Sequence, residues 1–488
     1  MTPQQTKFLS GGPTYPFKNL AGDGLGSDSH YNGIAESIKG LPASLLVRPG
    51  NKGGPSVTKK VVVVGGGIAG IQASLDIAEM GYEVHLVERT PSIGGRMAQL
   101  DKTFPTNDCS MCILSPKMIM CAGHKNVRLH TYSELEGVEG EFPNLKVKIK
   151  EKARFVNISR CTGCGDCVAK CPVKVPNEFE EGLSMRRAIY LPFPQAVPRK
   201  VTIDADHCRM ITSGKCGVCK KVCQAGAIEY EQKDRIVEID AAAIVVASGF
   251  DLFDPAGLPQ YGYGICKDVV TSLQLERILS ASGPTNGHLV RASDGKEPKK
   301  LGFVQCVGSR DSRVFRYCSS VCCMYATKES ILVREHVPDI ESTIFYMDMR
   351  ATGKGFQEFV LRAQKNYGVR YIRSRPASVQ PSKGGSGVLV TYETGGEATE
   401  QVTEEFDMLV LCPALVPSKG TGKLAEMVGV KLDEDRFILT PSLRNPVDST
   451  RKGVLVCGFV GEPMDIPDSV SQASGVAARV SELLEGEG

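Results

Sequence analysis

The sequence predicts a mixed α/β chain interrupted by a cysteine-rich α+β insertion, and three observations carry that expectation. A β-branched run, Val61-Val62-Val63-Val64, leads into Gly65-Gly66-Gly67-Ile68-Ala69-Gly70, a helical stretch and a second strand. A second buried run, Ala243-Ile244-Val245-Val246, ends in Ala247-Ser248-Gly249. Between the two, cysteines recur at short fixed spacings.

The first run reads as a buried parallel strand by its length and branching. The helix is expected over 71–80, with Gly81 as its C′ glycine, and 82–87 as the next strand. In such a βαβ unit Gly65 permits the tight turn, Gly67 lets the backbone approach a pyrophosphate, and Gly70 lets helix and strand pack closely. The helix N-terminus then faces the phosphates. Glu88 closes the second strand, where a ribose-binding acid belongs. Nucleotide binding follows from the unit as a whole, since a lone glycine fingerprint would be weak.

The continuation Arg89-Thr90-Pro91-Ser92-Ile93-Gly94-Gly95-Arg96 resembles the Glu-x5-Gly-Gly-basic pattern of the two-dinucleotide-binding flavoproteins, the thioredoxin reductase-like group. The resemblance implies FAD, with Gly94, Gly95 and Arg96 around its pyrophosphate. Ala247 and Gly249, in Ala247-Ser248-Gly249-Phe250-Asp251, look like that group's second fingerprint. Gly453-Val454-Leu455-Val456-Cys457-Gly458 looks like its last FAD strand, with Gly458 at the turn. The aspartate usual after that glycine is replaced by Phe459, so Asp465 or Asp468 is the stand-in for the ribityl contact.

Cys161-x2-Cys164-x2-Cys167-x3-Cys171-Pro172 is the bacterial ferredoxin run for a 4Fe–4S cluster. Cys208-x7-Cys216-x2-Cys219-x3-Cys223 follows, with a longer first gap. In two-cluster ferredoxins the fourth cysteine of each run ligates the other cluster. Cys161, Cys164, Cys167 and Cys223 are therefore expected to hold one cluster, and Cys208, Cys216, Cys219 and Cys171 the second. This module lies between two FAD fingerprints, so it is an insertion.

A third set, Cys306-x11-Cys318-x3-Cys322-Cys323, follows the strand-like Leu301-Gly302-Phe303-Val304-Gln305. In a thioredoxin reductase-like chain a second glycine fingerprint for NAD(P) belongs here, and none is found. On chemistry alone the four are either cluster ligands or buried structural thiols. The runs Val304-Gln305-Cys306-Val307-Gly308-Ser309-Arg310-Asp311 and Tyr317-Cys318-Ser319-Ser320-Val321-Cys322-Cys323-Met324-Tyr325-Ala326 resemble the A-type subunit of heterodisulfide reductase. So do Asn107-Asp108-Cys109-Ser110-Met111-Cys112-Ile113-Leu114-Ser115-Pro116-Lys117-Met118 and, more weakly, Ser293-Asp294-Gly295-Lys296-Glu297-Pro298-Lys299. The resemblance covers about 57–480. It implies a third 4Fe–4S cluster on Cys306, Cys318, Cys322 and Cys323 beside the FAD. It also implies that Lys328 matches the family lysine near flavin N5, the alternative being a solvated helix lysine. The family's longest members carry a C-terminal ferredoxin domain and a cluster-bearing N-terminal domain that this sequence does not match.

The expected organisation is an extended or disordered arm at 1–56 and FAD-binding parts at 57–150, 236–300 and 413–488. A two-cluster ferredoxin insertion occupies 151–235, and a degenerate NAD-like, cluster-bearing domain 301–412. The arm holds ten Gly and six Pro in its 56 residues, a low-complexity range. Hydrophobic residues at 42% and charged ones at 23% suit a chain with more than one core. Lys and Arg total 58 against 55 Asp and Glu, so no whole-chain basic footprint for nucleic acid exists. No apolar run reaches the roughly 18 residues of a membrane span, and no secretory signal opens the chain. With 18 cysteines and no signal, metal or redox use is expected over disulfides, and the cytoplasm as the location. Cys109, Cys112 and Cys121 could ligate a fourth metal, form a redox dithiol or be ordinary thiols. Cys412 and Cys457 read as core.

These readings point to an oxidoreductase: a flavin and iron–sulfur electron-transfer subunit of a hetero-oligomeric heterodisulfide reductase-like complex. Its partners would be other redox subunits and ferredoxin or another carrier. The family resemblance implies electron bifurcation. The alternatives are a simple relay subunit of a quinone-interacting or benzoyl-CoA reductase-type complex, and an NAD(P)H-dependent reductase on the same scaffold.

Overall fold

Four consecutive valines, buried on both faces, form the centre of the first sheet, as a parallel strand covered on both sides requires. The computed structural model describes residues 59–395 and 399–486, so the 1–56 arm lies outside the described residues. Strand β1 is Lys60–Val64, helix α1 Ile68–Glu79 and strand β2 Glu83–Glu88. The helix begins one turn earlier than its sequence pattern suggests, because Gly70 lies inside its first turn rather than before it. Gly81, at φ +98°, ends it as expected.

Helix α2 (Ser110–Gly123) and strand β3 (Val127–Thr131) complete the first crossover region. An antiparallel meander follows: β4 (Ser133–Glu141), β5 (Asn144–Glu151) and, after a long excursion, β6 (Arg235–Ala241). Strands β5 and β6 are register partners, with Glu151 opposite Arg235. Residues 152–234 thus leave and rejoin the meander at one point, closed by an Arg235–Glu151 ion pair at 2.6 Å. Within the excursion, Lys174–Pro176 pairs with Met185–Arg187 and Ile189–Tyr190 with Thr202–Ile203.

Strand β7 is Ala243–Val246, β8 is Val269–Thr271 and α3 is Ser272–Leu279. Next come β9 (Lys300–Val307), α4 (Cys322–His336), β10 (Glu341–Tyr346), α5 (Phe356–Tyr367) and β11 (Arg370–Arg373). Strand β12 is Met408–Pro413, β13 is Val454–Val456 and α6 is Ile466–Glu485.

Two five-stranded parallel sheets result. The first has the order β13-β7-β1-β2-β3 and the second β8-β12-β9-β10-β11. Each has its own antiparallel three-stranded partner, the second being Ser378–Pro381, Val388–Glu393 and Gln401–Phe406. The same plan used twice is a two-dinucleotide-binding architecture. Val61, Val63, Ile71, Leu75 and Leu86 pack one face of the first sheet against α1 and α6. Leu301, Phe303, Ile344 and Val410 pack the second sheet against α4 and α5. Among the described residues no helix is long and apolar enough to cross a membrane.

Candidate redox site

The first site forms where α1 begins. Gly65 has φ +113°, and a Cβ there would lie 2.2 Å from the Ala247 carbonyl oxygen. A Cβ on Gly70 would lie 1.8 Å from the Gly65 carbonyl oxygen, so strand and helix touch backbone to backbone. Gly67 differs: nothing lies within 4 Å of where its Cβ would be. It opens the helix toward space that a phosphate would fill. Gly94 and Gly95, at φ +130° and +57°, fold over this turn. The Gly94 amide donates to the Gly66 carbonyl at 2.8 Å, and a Gly95 Cβ would stand 2.8 Å from the Gly67 Cα. Gly458, at φ +73°, closes the far side, where a Cβ would meet Ala69 at 2.9 Å. The Ala247 amide donates to the Val64 carbonyl at 2.8 Å, and Gly249 turns away at φ +68°.

Glu88 is buried at the end of β2. Its Oε2 accepts the Gly66 amide at 2.7 Å, and its Oε1 accepts the Thr90 amide and hydroxyl, both at 2.8 Å. Arg96 is engaged by protein acids. Its guanidinium donates to Glu181 at 2.9 Å and to Asp251 at 2.8 Å. Burial opposes ionisation of Asp251, yet the Lys419 amide and Arg96 hold its carboxyl below the usual value. Asp465 is the N-cap of α6, accepting the Asp468 amide at 2.9 Å. Burial raises its pKa.

The excursion carries two thiol-lined cavities. Cys161, Cys164, Cys167 and Cys223 surround one of about 170 Å³. Cys171, Cys208, Cys216 and Cys219 surround a tighter one of about 20 Å³, with Met210 and Tyr230 among its walls. The fourth cysteine of each run therefore lines the cavity of the other run's first three. In the first set the Ala227 amide donates to Cys223 Sγ at 3.3 Å. In the second, Cys219 Sγ lies 3.0 Å from the Tyr230 hydroxyl. Four thiols around a void, with amide donors to sulfur, fit a polynuclear cluster. Among the described residues no three His, Cys, Asp or Glu side chains converge tightly enough for a single ion.

The third set sits at the C-terminal end of β9, where the second sheet would receive a nucleotide. The ladder between β9 and β12 breaks between Val304 and Val307, and Cys306 there has φ +58°. Cys322 and Cys323 are the first two residues of α4, where a helix N-terminus favours thiolate. Cys306 Sγ and Cys322 Sγ are 4.0 Å apart. The Ser320 amide donates to Cys318 Sγ and the Arg350 amide to Cys323 Sγ, both at 3.4 Å. The Cys322 hydrogen bond, against burial and with help from Arg310, brings the Cys306 thiol down to about 7. Cys323 is lowered first by its bond with Cys322, whereas Cys322, bonded to both and fully buried, is pushed well up. Three of the four thiols are buried in the core under this sheet and Cys318 is half-buried.

Lys328 lies on α4 with 1% exposure, ion-paired with Glu276 and donating to the Lys102 carbonyl at 2.9 Å. It is not a solvated helix lysine. Beside it, Glu329 is buried with Oε2 unpartnered; burial and then the Glu276 charge push its carboxyl well up. The buried Glu180–Arg277 pair, at 2.9 Å, docks the excursion onto α3. Sequence reasoning missed Glu180, Glu276, Glu329 and Asp251. Asp251 alone had a local signal, two residues after Gly249.

The three-cysteine set Cys109, Cys112 and Cys121 does not assemble. Cys109 is the N-cap of α2 and Cys121 lies twelve residues along it, about 18 Å at 1.5 Å per residue. Cys121 is buried in the first sheet's core, where burial raises its pKa to about 12. Cys109 and Cys112 remain as an exposed pair, the Cys112 amide donating to Cys109 Sγ at 3.3 Å. Cys412 and Cys457 are fully buried, as expected.

Doubled parallel sheets, a phosphate-shaped turn on the first and thiols on the second define a two-dinucleotide-binding flavoprotein oxidoreductase. The FAD dependent oxidoreductase family matches residues 60–108. The A-type subunit of the H(2):CoB-CoM heterodisulfide,ferredoxin reductase of Methanothermobacter thermautotrophicus is 46% identical over 447 residues, covering 91% of this chain and 66% of that one. A CoB–CoM heterodisulfide reductase iron-sulfur subunit of Methanopyrus kandleri is 49% identical over 433 residues, covering 88% and 65%. The thioredoxin reductase of T. acidophilum superposes with a TM-score of 0.49 at 14% identity, covering 87% of this chain and 98% of that one. The chain belongs to the family of heterodisulfide reductase A-type subunits, and spans about two thirds of the length of those curated relatives.

Proposed function

We propose that the chain is a flavin and iron–sulfur electron-transfer subunit of a cytoplasmic heterodisulfide reductase-like complex, splitting an electron pair between a low-potential route and a second acceptor. The observation that carries this reading is the third thiol set. Cys306 at the C-terminal end of β9, Cys318 beyond it, and Cys322 and Cys323 at the start of the helix that also bears Lys328 stand in place of a second nucleotide turn.

The residues fit FAD at the first sheet. Gly65, Gly67, Gly70, Gly94, Gly95, Ala247, Gly249 and Gly458 leave the α1 N-terminus open to a pyrophosphate, and Glu88 lies at the ribose position. Arg96 acts through Glu181 and Asp251, fixing the Gly94-Gly95 loop against the excursion. Asp465 orders the start of α6 beside Gly458. The twelve cysteines fit three 4Fe–4S clusters. When bound, FAD exchanges two electrons while each cluster takes one at a time. The protein's part is to bury the Cys306 set, to hold a cation at Lys328, and to join the excursion to the flavin domain through Glu181 and to α3 beside the second sheet through Glu180.

Anaerobic iron and flavin analysis should give about 12 Fe per FAD. A value near 8 would remove the Cys306 cluster. The split itself is tested in the purified native complex with both acceptors present. Omitting the low-potential acceptor should stop flow to the other; continued flow would make the chain a simple relay.

A further inference from the structure

The two cavities of the excursion differ in the charge around them. Each set has one exposed cysteine, Cys164 in the first and Cys216 in the second. Around the first, the exposed cations Arg160, Lys170 and Arg199 stand with one exposed acid, Asp166. Around the second, no Asp or Glu occurs from 207 to 228, while Arg209, Lys215, Lys220 and Lys221 all do. In a chain with 58 basic and 55 acidic residues this is a local excess, not a reflection of composition.

All four cations are exposed, and they sit on or beside the two short helices, Arg209–Ser213 and Val218–Val222, that frame the cavity. None forms an ion pair among the described residues. Lys220 rests over the Tyr230 ring at 5.7 Å. Val218, at 37% exposure, adds an apolar spot beside Cys216. Elsewhere on the excursion Arg186 is bound to Glu178 and Asp204, whereas Arg160 and Lys170 beside the first cavity are exposed and likewise form no ion pair among the described residues.

From this we infer that the Cys216 face is the docking surface for an acidic one-electron carrier protein. The inference rests on the proposed cluster in that cavity, and names where that cluster meets its carrier. Unpaired surface cations around an exposed ligand of a redox centre bring an acidic partner to a point where transfer distance is short. Such complementarity acts mainly on encounter rate and register, as a fast, transient contact requires. A nucleic acid would gain nothing from an apolar residue and a cluster thiol at the centre of the patch.

The test uses the anaerobically purified full chain, with FAD and iron verified, and an acidic bacterial two-cluster ferredoxin as probe. Stopped-flow electron exchange should slow at least about tenfold between about 0.05 and 0.5 M salt. Lys215→Glu with Lys221→Glu should slow it about tenfold at low salt and flatten the salt dependence. The control pair Arg160→Glu and Lys170→Glu should leave it unchanged. If charge reversal costs iron, Lys215→Gln with Lys221→Gln serves, with a smaller loss in the same direction. Carbodiimide cross-links should fall on Lys215, Lys220 and Lys221. Unchanged exchange in an iron-replete variant, or cross-links concentrated on the Cys164 face, overturns the surface while the proposed function stands. A wild-type chain with full iron and FAD that exchanges no electrons with the ferredoxin overturns both.

Discussion

Lys328 and Glu276 form an ion pair sealed from solvent, at 1% and 2% side-chain exposure, within one helix of the Cys322-Cys323 pair. Glu276 also accepts the Asp101 amide at 2.8 Å, and Lys328 donates to the Lys102 carbonyl. Lysine has three donors, so one remains after these two bonds. Removing one partner of a buried pair strands the other charge, at about 3–5 kcal/mol. Lys328→Met should therefore lower the thermal midpoint sharply, and Lys328→Met with Glu276→Gln should recover most of the loss. A single variant as stable as the wild type would show that Glu276 takes up a proton once Lys328 is gone and leaves no stranded charge.

The glycines of the first turn separate folding from binding. Gly70→Ala places a Cβ 1.8 Å from a backbone oxygen, a clash only backbone movement relieves. That variant should fail to accumulate as folded protein. Gly67→Ala meets nothing within 4 Å, so it should fold with full iron. Its methyl instead projects where a pyrophosphate would approach, and FAD retention through gel filtration should fall by tenfold or more (about 1.4 kcal/mol or greater). Full flavin retention by Gly67→Ala would place the phosphates elsewhere.

Cross-ligation of the two ferredoxin-type runs is decided by double variants. With Cys164 and Cys223 on one cavity, Cys164→Ala plus Cys223→Ala should lose about 4 Fe per FAD. Cys164→Ala plus Cys171→Ala touches both cavities and should lose about 8. The reverse result would mean that each run binds its own cluster.

What the sequence made legible was local. The βαβ unit, the glycine turns and the cysteine runs are short-range patterns, and each maps onto one contiguous piece of the structure. What it hid was long-range. Arg96–Glu181, Arg96–Asp251, Arg277–Glu180 and Lys328–Glu276 join residues 85, 155, 97 and 52 positions apart, which leaves no periodicity or spacing to read. Cys121 is the converse case. Its proximity in sequence to Cys109 and Cys112 suggested a set, but a continuous helix converts that separation into axial distance. Cys306 shows a third limit: β9 runs two residues past the strand expected over 301–305, and the cysteine is turned by a positive φ that nothing in its sequence signals.

A buried histidine chain sets a pH dependence separate from redox chemistry. On the first sheet, Glu83 lies 3.1 Å from His85, His85 lies 3.0 Å from His130, and His130 lies 2.8 Å from Glu151. Burial first, then the neighbouring His130, lowers the His85 pKa to about 4; Glu83 opposes this and Lys60 assists it. The folded state thus binds a proton at His85 less readily than the unfolded chain, whose histidine titrates near 6.5. The corresponding stability is complete above pH 6.5 and is lost as pH falls toward 4. The full span is about 3.5 kcal/mol, taken at roughly 1.4 kcal/mol per unit. Iron–sulfur centres add their own acid sensitivity, so the measurement is a difference. Thermal midpoints of wild type and His85→Asn are compared at pH 7.5 and pH 5, with iron content verified at both. The variant should lose less of its midpoint on acidification than the wild type. Equal losses would mean that His85 is protonated in the folded chain at pH 5, its proton shared with His130 or Glu83.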